Sequence, residues 1–169
     1  SDSATRDPQR QIRVIREIAT AAGTVDALIG GQVVDIESEG KQIDATTLEY
    51  IHRSKTGAMI RAAVVAGGII AGADDGQIES LRQYAERIGL AFQIADDILD
   101  VTSTSEQLGK TPGKDQAARK ATYPTLHGIA ASEKRARQLV EEAVAIVSRL
   151  GVDHRALAEI ARFIIAREF

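Results

Sequence analysis

Residues 88–101 read IGLAFQIADDILDV and are apolar except for Gln93, Asp96, Asp97 and Asp100. This run belongs to a predicted helix from about Gln77 to Val101. Aspartate is a poor former of helix interiors, and three carboxylates within five residues repel one another. The sequence therefore places negative charge in a helix where side-chain burial would favour leucine.

The spacing of these acids defines a helical face. Asp96 and Asp100 are four residues apart, so they lie one above the other, and Gln93 shares their face. Asp97 lies about 100° around the helix, at the edge of the same sector. One interpretation is a solvated face, or carboxylates paired with neighbouring Lys and Arg side chains. The other is a divalent-cation site, which the apolar flanks favour.

Magnesium suits the second interpretation. Mg²⁺ prefers oxygen ligands and usually takes one or two protein carboxylates, with water and substrate phosphate completing the octahedron. Asp96 and Asp100 can supply that pair, with Asp97 beside them. Zinc is disfavoured because the chain has no cysteine and its three histidines show no ligand spacing; they are His52, His127 and His154.

Helical periodicity extends in both directions from this stretch. Asp7-Pro8 is typical of a helix start, and the stripe that follows comprises Ile12, Val14, Ile15, Ile18 and Ala19. The remaining expected caps are Thr24, Thr46 or Thr47, Asp74 or Asp75, Ser132 and Asp153. No segment has a strand period, so we predict an all-α antiparallel helix bundle in one domain, residues 1–169. The predicted helices span about 8–23, 25–39, 48–71, 77–101, 132–150 and 153–167, and residues 102–124 are predicted mainly as loop.

The amino-acid composition argues against some classes of function. The 169 residues carry 21 Lys and Arg against 24 Asp and Glu, a net charge of −3. This near balance argues against a nucleic-acid binder and gives no sign of a polybasic membrane anchor. The longest apolar run, Ala62–Ala73, is short of the roughly 20 residues that span a bilayer, and residues 1–10 have no signal-like apolar core. We therefore expect no membrane span.

Two basic segments are candidate partners for the acids. One is the Gly-containing loop that follows the acidic helix, with Lys110, Lys114, Arg119 and Lys120; it lacks the P-loop spacing. The other is HRSKTG, residues 52–57, where Lys55 and Thr56 offer an ammonium and a hydroxyl to one anion. Each segment alone is also compatible with solvated surface, with His52 as an ordinary surface residue.

Taken together, these segments resemble the trans-isoprenyl diphosphate synthases, most closely the geranylgeranyl diphosphate synthases of plants and bacteria. The resemblance covers nearly the whole chain and rests above all on two specific pieces, FQIADDILD and the GK-T-x-GKD run. The matching segments are Gly31-Gln32 in GGQVVDIESEGK, Lys55-Thr56 in LEYIHRSKTGAMI, residues 92–100, residues 106–124 and the ending ARFIIAREF.

The resemblance implies the isoprenoid synthase fold and a prenyltransferase. Such enzymes join isopentenyl diphosphate to an allylic diphosphate, releasing diphosphate that Mg²⁺ and cationic side chains stabilise. It implies that Asp96 binds Mg²⁺ and that Asp97 and Asp100 complete the metal motif. Lys55, Lys110 and Lys120 are then expected to contact the allylic diphosphate, with Thr56 and Gln93 near the reacting carbons; Lys55, Thr56, Gln93 and Lys110 are the expected catalytic residues. Asp115 is a candidate for orienting lysines or a metal-bound water.

The chain also departs from that family. Family members carry an earlier Asp-Asp-x-x-Asp motif on a facing helix, and this sequence has only one such motif. Its first residues correspond to the family's middle, so we expect this to be the C-terminal half, inactive alone and without the isopentenyl diphosphate site. The family is usually homodimeric. We expect a cytoplasmic protein, or a plastid one if a transit peptide lies upstream.

Two other functions remain open. The chain could be a non-catalytic binding or regulatory subunit that partners a complete synthase. Retention of the diphosphate-side residues argues against this, since a structural partner need not keep them. A terpene cyclase or squalene-type synthase uses similar metal-triggered ionisation, but the GK-T-x-GKD loop and the few aromatic residues disfavour it.

Overall fold

The computed structural model describes residues 7–107 and 121–166, with the backbone alone for residues 103–107. All regular structure in these residues is helical, which confirms the all-α prediction. The elements are α1 (Pro8–Ala21), α2 (Leu28–Ser38), α3 (Ala45–Ile51), a π-helical turn (His52–Gly57), α4 (Ala58–Ala71), α5 (Asp75–Gln107), α6 (Tyr123–His127), α7 (Ile129–Val147) and α8 (Arg155–Ala166).

Local capping chemistry sets several helix starts as predicted. The Asp7 carboxylate accepts from the Gln9 amide at 2.9 Å, with Pro8 in the first turn of α1. Before α5, Asp74 Oδ1 accepts from the Gln77 amide at 2.8 Å, and Gln77 Oε1 accepts from the Asp74 amide at 3.1 Å. Each cap satisfies amides that have no partner within their own helix.

Other predicted starts were wrong by a few residues. The cap of α3 is Asp44, which accepts from the Thr47 amide at 2.8 Å, so the helix begins before the two threonines. Helix α7 begins at Ile129 after Gly128, and the buried Ser132 hydroxyl donates to the Gly128 carbonyl at 2.8 Å. Ser132 is therefore inside the first turn, because Gly128 with a φ of 84° already redirects the chain.

The start of α2 was also predicted too early, with Thr24 as its cap. Asp26 has a φ of 49°, a left-handed conformation that aspartate tolerates better than most residues. Helical geometry cannot continue through that residue, so α2 begins at Leu28 with no side-chain cap.

The region after the acidic helix is more helical than predicted. Helix α5 continues from the expected end near Val101 to Gln107. Helix α6 also lies at the end of the predicted loop, where Thr122 and Thr125 cap each other's backbone amides. Local hydroxyl caps can therefore start a five-residue helix where composition alone favours a loop.

Helix α5 forms the centre of the bundle. One of its sides packs on α4 and another on α7, and its N-terminal half also contacts α8. Small and β-branched side chains fill the spaces between these helices, as expected for a chain with few aromatic residues. The buried hydrophobic residues of α5 are Ile78, Leu81, Tyr84, Ala85, Ile88, Leu90, Ala91, Ile94, Ala95 and Ile98.

Two apolar stripes remain exposed at the edge of the bundle. The predicted α1 stripe packs only partly within this chain, since its isoleucines are exposed while Val14 contacts the core. Helix α2 presents a second stripe at helical spacing. The exposed residues are Ile12, Ile15 and Ile18 on α1, and Ile29, Val33 and Ile36 on α2.

The continuous helical run Ala45–Ala71 has 27 residues; its most apolar 18-residue window has a mean hydropathy of 1.2, and 44% of that window is buried within the protein. By length and composition it is the one helix among the described residues that could cross a membrane. A core helix meets the same criterion, and this run packs against α1, α2 and α5.

Tyr84 gives a pH-dependent contribution to stability. Its side chain is fully buried, its hydroxyl donates to the Leu157 carbonyl on α8 at 2.8 Å, and burial raises the pKa of Tyr84 to about 12. Because the folded-state pKa exceeds the unfolded value of 10.0, the stabilisation is complete below pH 10 and is lost as the pH rises toward 12.

We expect Tyr84→Phe to lower the free energy of unfolding by about 1–2 kcal/mol at pH 8, because the Leu157 carbonyl loses its donor. From pH 9 to pH 11 the wild-type protein should lose about 1 kcal/mol more stability than the variant. Urea unfolding at several pH values measures both curves. A wild-type advantage that stays constant up to pH 11 would contradict this prediction.

Candidate functional site

The candidate site is built on a π-helical turn between two α-helices. Residues His52–Gly57 form this turn between α3 and α4, and it carries both Lys55 and Thr56. A π-helical turn has wider hydrogen-bonded rings than an α-helix and is found frequently at functional sites. Lys55 and Thr56 are both partly exposed, so both side chains contact solvent.

Glycines bring two neighbouring helices into backbone contact with this turn. A Cβ atom at Gly31 of α2 would lie 2.4 Å from the Lys55 backbone nitrogen. On the other side, a Cβ at Gly89 of α5 would lie 3.2 Å from the Gly57 Cα. Only glycine permits the first of these approaches, so α2 fixes the position of the Lys55 backbone.

The Lys55 ammonium pairs with a largely buried carboxylate. Its Nζ atom lies 2.7 Å from Asp35 Oδ2 on α2, and the side chains are 34% and 12% exposed, respectively. The pair is therefore screened from water on the Asp35 side and open on the Lys55 side. Asp35 holds the ammonium in place while part of that ammonium remains accessible to an anion.

A second contact joins the same turn to the acidic helix. His52 Nε2 lies 2.9 Å from Asp97 Oδ2, and the side chains are 6% and 13% exposed. The Tyr123 amide at the start of α6 donates to the same Asp97 oxygen at 2.8 Å. An ionised carboxylate only accepts hydrogen bonds, so His52 Nε2 carries a proton and donates it. The interpretation of His52 as a surface residue was wrong.

The three aspartates of the motif have different environments. Asp96 and Asp100 are exposed on one face of α5, whereas Asp97 is directed to His52 and Tyr123. Gln93 is partly exposed one turn before Asp96. The geometry thus gives Asp97 a bridging contact between helices, and leaves the expected metal-ligand pair to Asp96 and Asp100.

The carboxylates of Asp96 and Asp100 fit a Mg²⁺ ion that is bound partly by protein and partly by a phosphate ligand. Among the described side chains, those of residues 7–102 and 121–166, no three His, Asp or Glu form a cluster that could hold a metal ion. Two exposed carboxylates one helical turn apart match the one or two protein ligands that Mg²⁺ usually takes beside substrate phosphates. Asp96 and Asp100 are the residues that could hold it.

The predicted basic loop after α5 lies outside the described residues. Its members are Lys110, Lys114, Asp115, Arg119 and Lys120. Their expected contacts with a diphosphate remain predictions.

Sequence patterns did not identify the residues that position this site. Asp35 is separated from Lys55 by 20 residues, and His52 from Asp97 by 45. The local signals were weak: one of two acids on a mostly apolar helix, and a histidine three residues before Lys55. Both acquire partners only when α2 and α5 pack on the π-helical turn.

The fold and site together define a class: an all-helical protein that places a lysine–threonine turn beside an Asp-Asp-x-x-Asp helix. The family model for polyprenyl synthetase matches residues 6–157, and the chain belongs to this family.

Curated relatives agree with this assignment. A dimethylallyltranstransferase of Fischerella ambigua is 49% identical over 94% of this chain and 46% of its own length. A geranylgeranyl diphosphate synthase of Cyanophora paradoxa is 47% identical over 92% of this chain and 52% of its own. A farnesyl diphosphate synthase of Geobacillus stearothermophilus is 42% identical over 95% of this chain and 54% of its own length. The chain thus spans about half the length of the curated relatives it matches.

Solved structures show the same fold. A farnesyl/geranylfarnesyl-type (FPP/GFPP) synthase from Zymomonas mobilis has a TM-score of 0.78 at 33% identity, covering 94% of this chain and 52% of that one. A geranyltransferase from Helicobacter pylori was determined with magnesium and isoprenyl diphosphate. It has a TM-score of 0.72 at 25% identity, and the match covers 95% of this chain and 52% of that one.

Proposed function

We propose that this chain provides the leaving-diphosphate side of a Mg²⁺-dependent prenyltransferase. The reaction condenses isopentenyl diphosphate with an allylic diphosphate to give a longer isoprenyl diphosphate, such as farnesyl or geranylgeranyl diphosphate. One observation carries the proposal: the π-helical turn with Lys55 and Thr56 is joined to the aspartate-rich helix by the 2.9 Å contact between His52 and Asp97.

Relatives support the choice of reaction and of metal. Proteins over 40% identical to this chain are named for farnesyl and geranylgeranyl diphosphate synthesis. The related Helicobacter pylori geranyltransferase was determined with magnesium and isoprenyl diphosphate. An allylic diphosphate and isopentenyl diphosphate are therefore the proposed substrates.

Different side chains of the site would bind different parts of the departing diphosphate and its metal ion. The allylic carbon–oxygen bond breaks, its electron pair leaves with the diphosphate, and the isopentenyl double bond forms the new carbon–carbon bond before a proton is lost. Lys55 and Thr56 would bind diphosphate oxygens through an ammonium and a hydroxyl. Asp96 and Asp100 would hold Mg²⁺, which when bound neutralises the charge that develops on the diphosphate.

We propose that these 169 residues do not sustain turnover by themselves. The sequence holds one Asp-Asp-x-x-Asp motif, and the chain spans about half the length of its curated relatives. The exposed apolar stripes of α1 and α2 support a larger working enzyme, since such faces are usually covered by further protein.

The chain alone is expected to bind Mg²⁺ with inorganic pyrophosphate. Asp96→Asn should weaken this binding about 10- to 100-fold, because even residues that only support metal ligands cost this much when replaced. Stability should change by less than about 0.5 kcal/mol, because Asp96 is exposed. Calorimetric titration and urea unfolding measure the two effects.

Glu79→Gln is the matched control, since Glu79 is an exposed acid on the same helix about 25 Å from Asp96. It should bind pyrophosphate like the wild type. Equal binding by Asp96→Asn would contradict the assignment of the metal site. Sustained condensation of labelled isopentenyl diphosphate with geranyl diphosphate by this chain would contradict its proposed dependence on further protein.

A further inference from the structure

We propose that His52 is a positioning residue that keeps the Lys55–Thr56 turn aligned with the aspartate-rich helix, acting through Asp97. The inference rests on the proposed function, because it concerns the same diphosphate site. It assigns a task to the one buried histidine among the described residues, which is expected neither to bind metal nor to contact substrate.

The contact joins three separate segments at one oxygen atom. His52 is the first residue of the π-helical turn, Asp97 lies within α5, and Tyr123 begins α6. Asp97 Oδ2 accepts from His52 Nε2 at 2.9 Å and from the Tyr123 amide at 2.8 Å. Two donors on one carboxylate oxygen restrict rotation of the Asp97 side chain. The positions of the three segments relative to one another are therefore fixed.

This alignment of the three segments bears directly on the candidate site. Lys55 and Thr56 follow His52 by three and four residues, so about one helical turn separates them from the fixed imidazole. Asp96 precedes Asp97 directly, and Asp100 follows it by three residues. A rotation of α5 or a shift of the π-helical turn would therefore move the lysine and the metal-ligand pair relative to each other.

Burial energetics favour a positioning task over simple filling of space. An imidazole and a carboxylate each lose hydration when buried, and an apolar pair of similar volume would often be at least as stable. The residues adjacent in sequence, Ile51 beside His52 and Ile98 beside Asp97, are buried and apolar. What the polar pair adds is a directional contact, which specifies one alignment of the helices.

The test compares His52→Leu, which removes the donor, with His52→Gln, whose Nε2 can replace the imidazole Nε2–H. In His52→Leu, hydrogen exchange of the Tyr123 amide should become about tenfold faster, and affinity for Mg²⁺ with inorganic pyrophosphate should fall about tenfold. In His52→Gln, both quantities should return to within about threefold of the wild type. The imidazole ¹⁵N resonances of the wild type should show a protonated Nε2.

Each outcome decides the proposal. Unchanged exchange and affinity in His52→Leu would overturn it, as would equal losses in the Leu and Gln variants. If His52→Leu does not fold, His52→Asn replaces it, because its amide nitrogen corresponds to Nδ1 and cannot reach Asp97. If the wild type fails to bind pyrophosphate, the proposed function fails, while exchange at Tyr123 and amide shifts at Lys55 and Thr56 still test the alignment.

Discussion

Gly31→Ala is expected to lower the free energy of unfolding by about 2–3 kcal/mol, near the upper end for overpacked sites. The added methyl would lie 2.4 Å from the Lys55 backbone nitrogen, 2.9 Å from the Lys55 Cα and 2.9 Å from the Ser54 Cβ. Two of these atoms belong to the main chain of the π-helical turn and cannot move aside by a rotamer change. Relief therefore requires α2 to separate from the turn.

Gly67→Ala is the matched control because both glycines lie inside helices. A Cβ at Gly67 meets no atom within 4 Å. Alanine should then stabilise α4 by about 0.5–1 kcal/mol, since it has less backbone freedom to lose on folding. Urea unfolding of the two variants should give changes of opposite sign. A Gly31→Ala variant as stable as the wild type would contradict the close approach of α2.

The same substitution has a functional consequence. Separation of α2 from the turn would move Asp35 away from the Lys55 ammonium, because Asp35 lies one turn beyond Gly31 on the same helix. Gly31→Ala should therefore also weaken binding of Mg²⁺ with pyrophosphate, whereas Gly67→Ala should leave it unchanged.

The second large effect concerns two ion pairs that have equal length but different burial. Lys55 Nζ lies 2.7 Å from Asp35 Oδ2, and Arg53 Nη2 lies 2.7 Å from Glu49 Oε1. The acid is 12% exposed in the first pair and 39% exposed in the second. Water screens the second pair far more effectively, so distance alone does not set the interaction energy.

We expect Lys55→Met to cost about 2 kcal/mol, less than for a fully buried pair because Lys55 is one third exposed. Adding Asp35→Asn should recover about half of that loss, since the largely buried carboxylate that lost the Lys55 ammonium is neutralised. A double-mutant cycle should give a coupling energy of about 1–2 kcal/mol for this pair.

The control cycle uses Arg53→Met and Glu49→Gln, one turn apart on the neighbouring surface. Its coupling energy should be about 0.3–0.5 kcal/mol, as for exposed pairs four residues apart. Equal coupling energies for the two cycles, or a larger value for the exposed pair, would contradict the role assigned to burial. Both cycles are measured by urea unfolding at one ionic strength.

Helical periodicity and capping residues predicted most of the fold. Asp7 and Asp74 could be identified as caps because a cap depends on residues within one turn of each other. The start of α2 was missed because Asp26 adopts a left-handed conformation, which helical periodicity does not predict. The α1 isoleucine stripe was correctly helical, but periodicity does not say which protein surface covers it.

The Asp-Asp-x-x-Asp motif predicted the chemistry of the candidate site but not the arrangement of its side chains. Asp96 and Asp100 share a face because they are four residues apart on a helix, which the sequence alone determined. The all-α class and the family resemblance were likewise determined by local pattern and specific motif spacing. These features depend on chain neighbours and need no knowledge of how helices pack.

Tertiary structure decided which side chains meet across the bundle. The Lys55–Asp35 and His52–Asp97 contacts join residues far apart in sequence. They depend on the rotation and separation of α2, α5 and the π-helical turn, which the close backbone approaches at Gly31 and Gly89 set. Helical spacing shows which residues share a face of a single helix. It does not show which other helix that face will contact.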